Sequence, residues 1–149
     1  MPNIVHRIGM EHAIPEQAYK AVATREGLAS WWTKKVTGEP KVGNVLQFRF
    51  ETGGPDFEVL KLTYPTRVRW KCVAGLDQWI DTRVYFDIVH EDGETVLLFK
   101  HCGRHEEMEF MHHFSTSWAF FLIGLKSLFE GGEGRPFGSR YQRISRKSK

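Results

Sequence analysis

The chain contains no run of about 18 consecutive apolar residues, so no membrane-spanning helix is expected. Its start, Met1 to Arg7, lacks the apolar core of a secretory signal. Cysteine is scarce. Cys72 and Cys102 are too few for a disulfide framework, and that points to a reducing, cytoplasmic setting. No phosphate-cradling glycine loop is present; Gly53-Gly54 and Gly131-Gly132 read as a turn and a helix stop. No Gly-x-Ser-x-Gly turn occurs, and Ser115, Thr116 and Ser117 fall in the middle of a helical pattern, suited to packing or to bonding back to the backbone. A zinc site needs two matched ligand pairs. Cys102 and His105 offer one pair, no second close pair exists, and the adjacent His112 and His113 cannot share one helical face. No metal, no cofactor and no catalytic residue is therefore assigned.

Acid is missing from the end of the chain. Residues 135–149 hold Arg135, Arg140, Arg143, Arg146, Lys147 and Lys149 without an Asp or Glu, a charge of +6. The rest carries 15 basic and 18 acidic residues, so the net +3 reads as the property of a tail and not of a basic face on the fold. A short basic end is read as solvated, and no nucleic-acid partner is expected. The boundaries that follow are one folded domain over residues 1–134 and a basic, flexible tail over 135–149.

Aromatic rings, by contrast, are abundant: 11 Phe, 5 Trp and 4 Tyr in 149 residues. In one domain of this size they fill a core or line a pocket. Residues 3–12 read as a strand. Pro15 suits the first turn of a helix that runs through Ala18, Tyr19, Val22 and Ala23, and Thr24 caps a second short helix that ends near Trp31-Trp32. From Val45 the period changes to two. Leu46, Phe48 and Phe50 alternate with polar residues; further strands follow over Phe57 to Tyr64, Arg67 to Cys72, Thr82 to Ile88 and Glu94 to Cys102. Glu91-Asp92-Gly93 is a hairpin signal, and the set forms an antiparallel meander. From Glu106 to Glu130 the apolar positions step by three and four. That is an amphipathic helix of about 37 Å, long enough to cross a whole sheet and cover its apolar face.

Four segments carry a resemblance. Gly27-Leu28-Ala29-Ser30-Trp31-Trp32-Thr33 resembles a Gly-Leu-x-x-Trp-Trp motif. Gly43-Asn44-Val45-Leu46-Gln47-Phe48 resembles the first hairpin strand of the same group. Glu94-Thr95-Val96-Leu97 with Lys100-His101-Cys102-Gly103 is similar to its Gly-Thr-x-Leu…Thr-His-x-Gly strand. Trp118 to Leu122 and Leu125 to Gly132 resemble its closing helix. The group is the START-like, or SRPBCC, superfamily, in the branch named for homology to the activator of the heat-shock protein 90 ATPase. The resemblance covers about residues 3–132. It implies an α+β helix-grip fold: a curved antiparallel sheet wrapped round a long C-terminal helix, with two short helices near the N-terminus and an internal cavity.

Relatives in this superfamily bind lipids, sterols or polyketides, and some are cyclases or hydrolases. The leading expectation is a small-molecule binding protein holding an apolar or amphipathic ligand between sheet and long helix. The candidate ligand-binding residues are Trp32, Trp70, Trp79, Phe99, His101, Met111, Phe114 and Trp118. Trp70 shares strand parity with Val68 and Cys72, and His101 with Leu97 and Phe99, so these face inward, whereas Cys102 faces away. His101 is either a polar contact for the ligand or a hydrogen-bonded structural histidine. A cyclase or dehydratase using His101 with Asp81 or Glu109 is the alternative. Chaperone association is a weaker expectation, because the namesake acts partly through a separate N-terminal domain for which this chain has no room. Homodimerisation is left open.

Overall fold

The computed structural model describes residues 4–11, 13–50, 53–75, 79–103 and 109–130, with side chains excluded for 109–114. The basic tail, the expected helix stop at Gly131-Gly132, Met108 and His105 lie outside the described residues, as do the side chains of Met111, His112, His113 and Phe114.

The elements follow the order strand, two short helices, meander, long helix. They are β1 (Ile4–Met10), α1 (Pro15–Ala23), α2 (Arg25–Ala29), β2 (Lys35–Thr37), β3 (Val45–Arg49), β4 (Asp56–Thr63), β5 (Arg67–Ala74), β6 (Arg83–Glu91), β7 (Glu94–Cys102) and α3 (Glu109–Glu130). All seven strands form one antiparallel sheet in the order β1-β7-β6-β5-β4-β3-β2. The sheet is a curled half-barrel with the helices on its inner side, the helix-grip architecture. One strand, β2, has no counterpart in the sequence reading. It is three residues long and sits at the sheet edge, where Val36 pairs with Phe48.

The local signals act as their chemistry requires. Pro15 opens α1, and the side-chain oxygen of Gln17 accepts from the Ile14 N–H at 3.2 Å. Thr24 joins α1 to α2: its hydroxyl donates to the Lys20 carbonyl at 2.7 Å and accepts from the Gly27 N–H at 3.0 Å. Gly27 lies so close to α1 that a Cβ would stand 2.6 Å from the Ala21 Cα and nearer still to the Lys20 oxygen. The indole N–H of Trp31 donates to the Ala21 carbonyl at 2.8 Å. The Gly-Leu-x-x-Trp-Trp segment is thus the clamp between the two short helices. Asp92 and Gly93, at φ of 53° and 76°, form the tight β6–β7 turn.

Strand alternation decides what reaches the core. Val68, Trp70 and Cys72 on β5, Val84, Phe86 and Ile88 on β6, and Leu97, Phe99 and His101 on β7 are buried. α3 lies against this face through Trp118, Leu122 and Leu125. Its 22 residues span about 33 Å. Near its end, Lys126 donates to the Gly9 carbonyl of β1 at 2.5 Å and pairs with Glu130 at 2.9 Å.

Candidate functional site

Six of the eight candidate residues meet in one place. Trp70 comes from β5, Phe99 and His101 from β7, and Trp118 from α3; Trp32 follows α2, and Trp79 precedes β6. Each has less than a tenth of its surface exposed, and His101 has none. The Trp118 ring is the hub, with centroids 4.5 Å from Phe99, 4.8 Å from Trp32 and 6.1 Å from Trp79, the last pair stacked. Trp32 also stacks on Trp70 at 6.3 Å. Trp79 meets His101 edge-on at 4.7 Å. Such geometries favour aromatic pairs beyond simple burial.

Met111 and Phe114 are carried by α3, and their side chains lie outside the described residues. The same cluster holds rings that were not among the candidates. Phe48 and Phe57 lie 5.5 Å and 5.2 Å from Trp70, and Phe86 lies 5.0 Å from it. All three share the parity of inward positions, so the signal was present in the alternation.

His101 sits in a directed chain of hydrogen bonds. An indole N–H can only donate, and that of Trp118 donates to Nδ1 of His101 at 3.1 Å. The neutral ring therefore carries its proton on Nε2, which lies 2.8 Å from the Thr82 hydroxyl. The Thr82 hydroxyl in turn donates to the Trp79 carbonyl at 2.5 Å. Both ring nitrogens are engaged, as a buried imidazole requires. Thr82 is buried and shares parity with Val84, which pairs directly with His101. The alternation from Thr82 to Ile88 carries that parity, but only the β6–β7 register brings Thr82 to the histidine.

Asp81 and Glu109 are the acids considered as partners for His101. Asp81 is about half exposed, with its carboxylate 3.7 Å from Lys71 Nζ. The Glu109 side chain lies outside the described residues. Among the described residues, no three His, Cys, Asp or Glu side chains gather into a metal-binding group, and no helix is long and apolar enough to cross a membrane. Cys72 is buried beneath the sheet, and burial pushes its thiol up from the usual 9.0 to about 11, with the Asp56 and Asp81 carboxylates acting in the same direction. Burial also raises Tyr19, helped by Tyr64 beside it.

A sheet gripping a Trp-bearing helix, with the Trp-Trp clamp beneath it, now has a counterpart among known proteins. The family model described as activator of Hsp90 ATPase homolog 1-like protein matches residues 12–130. The chain belongs to this family. A 40% identical structure, the Aha1 dimer from Colwellia psychrerythraea, superimposes with a TM-score of 0.82 over 90% of this chain and 100% of that one. CalU16 from Micromonospora echinospora, 17% identical, gives 0.79 over 98% of this chain and 76% of its own. DynU16, from the dynemicin biosynthetic locus, is 17% identical and gives 0.76 over 89% of this chain and 48% of its own. The last two share the START-like fold. A comparison with curated proteins returns no match.

Proposed function

We propose that this member of the activator of Hsp90 ATPase homolog 1-like family is a cytoplasmic protein that binds an apolar or amphipathic small molecule between sheet and α3. The observation that carries this reading is the convergence of Trp32, Trp70, Trp79, Phe99 and Trp118 around a buried histidine. Ligand sites of this kind are mostly apolar walls with a few placed polar groups. A ligand seated there lies against Trp32, Trp79 and Phe99 and takes one ring nitrogen of His101 from Trp118 or Thr82. Releasing that bond costs about 1 kcal/mol net. Burying about 200 Å² of apolar ligand surface is worth about 5 kcal/mol before association costs, so the exchange is affordable. The 40% identical relative is a dimer, and we extend homodimerisation to this chain.

Nile red, a neutral apolar dye, tests the reading. A saturable rise in its emission at one dye per chain, weakened by His101→Ala in a variant that still melts cooperatively, is the expected result. Absence of saturable binding to the wild type overturns it.

A further inference from the structure

We propose that the outer face of the sheet, the face turned away from α3, docks an acidic protein surface that inserts one apolar side chain between Arg7 and Lys100. The proposal is independent of the ligand site inside the grip.

Residues directly opposite one another on antiparallel strands share a face, so the register lays out this surface in rows. One row crosses five strands as Lys61, Arg69, Tyr85, Lys100 and Val5. At about 4.8 Å per strand it is roughly 19 Å wide. On one side of it run Lys71 and Arg83; on the other run Arg67, Asp87, Leu98 and Arg7. Seven cations thus share five strands, although the chain outside its last fifteen residues has more acids than bases. The expectation that the fold carries no basic face is corrected here. A count over the whole chain averages two faces that the strand period separates.

Three of the seven cations are held by ion pairs, and two lie over the Tyr85 ring. The Arg69 guanidinium lies 4.5 Å above the Tyr85 ring, and Lys100 Nζ lies 5.9 Å from the same ring. Arg69 pairs with Asp87 at 2.7 Å, Arg7 with Glu91 at 2.9 Å, and Lys71 with Asp81 at 3.7 Å. Lys61, Arg67, Arg83 and Lys100 are exposed and have no ion-pair partner among the described residues. Beside Lys100 the face sinks into a hollow of about 440 Å³ whose lining includes Val5, Arg7, Asp87, Leu98 and Lys100. Val5 and Leu98 are 60% and 39% exposed, so its apolar floor is open.

Charge complementarity chooses the occupant. A nucleic-acid backbone or an anionic membrane offers unbroken negative charge, and Glu58, opposite Lys71, and Asp87, opposite Arg67, lie among the cations to oppose it. A protein surface can place carboxylates opposite Arg83, Arg67 and Lys100 and leave a gap at Asp87. It can also supply the apolar side chain that the hollow accommodates. Charged rims of this kind set association rate and specificity.

The test is fluorescence anisotropy of the full chain with a labelled peptide of repeating Glu-Glu-Leu, beside an all-Glu peptide of equal charge, a DNA duplex and phosphatidylcholine–phosphatidylserine vesicles. The Arg83→Glu, Lys100→Glu pair is expected to weaken the Leu-containing peptide about tenfold or more, and the Lys20→Glu, Lys34→Glu pair, equal in charge change but off this face, less than about twofold. The all-Glu peptide is expected to bind more weakly than the Leu-containing one. Equal loss in both pairs, no binding of either peptide, or tighter binding of DNA or vesicles that the first pair abolishes overturns the proposal. Circular dichroism melts confirm the fold, and Arg83→Gln with Lys100→Gln replaces the first pair if it is destabilised.

Discussion

Trp118 donates its indole N–H to Nδ1 of His101 at 3.1 Å, and that bond fastens α3 to the strand that pairs with the N-terminal edge strand. It also fixes the histidine's tautomer and, through Thr82, ties the β5–β6 loop into the same network.

The first prediction concerns that tautomer. Nitrogen-15 NMR of the imidazole should show the proton of His101 on Nε2 and a bare, accepting Nδ1. Thr82→Val removes the Nε2 partner while nearly keeping the volume. It should cost about 1–3 kcal/mol in urea unfolding, because a buried donor is left without its acceptor. A cost near zero would mean that the chain of bonds contributes little.

The short helices give a second prediction. Thr24→Ala removes the hydroxyl that both α1 and α2 use, and should cost about 1 kcal/mol. Gly27→Ala should cost more, since its new methyl group would meet backbone atoms of Lys20 and Ala21 rather than a yielding side chain. Chemical denaturation of the two variants side by side checks the order.

Both the core and the strands were largely legible in the sequence, and the reason is specific. β5 alternates along its length, β6 as far as Ile88 and β7 from Leu97 to His101, so Trp70, Phe99 and His101 could be given a direction from parity alone. Trp32 and Trp79 sit in connections, where no period exists to aim a side chain; only the folded chain brings them to Trp118. β2 was missed because three residues cannot display a period, and its pairing with β3 is a tertiary fact. The partner of His101 was also tertiary. Thr82 lies 19 positions away and reaches the ring only across the β6–β7 register. The outer basic face was likewise visible strand by strand, as Arg67, Arg69 and Lys71, but only the register adds Arg83 and Lys100 to it.

The two cysteines supply a third prediction. Cys72 is fully buried with its thiol raised to about 11, whereas Cys102 is partly exposed. A thiol reagent near neutral pH should therefore modify Cys102 first and reach Cys72 only on unfolding. Mass spectrometry of the native and denatured protein after labelling reads this directly.

Cys72 also sets a pH dependence. Its folded value lies above its ordinary 9.0, so the fold holds this proton more tightly than the unfolded chain does. The resulting stabilisation is full below about pH 9 and is lost as pH rises towards 11, and the raised Tyr19 acts in the same direction. Melting temperature should fall over that window, and Cys72→Ala should flatten part of the slope.

Native mass spectrometry of protein purified from cells, repeated after denaturation and organic extraction, tests the binding reading most directly. The native protein should show a mass above that of the chain that disappears on extraction, with an apolar compound recovered in the organic phase, and the His101→Ala variant should show a smaller excess. A mass matching the bare chain, joined to a failure to bind Nile red, would contradict it.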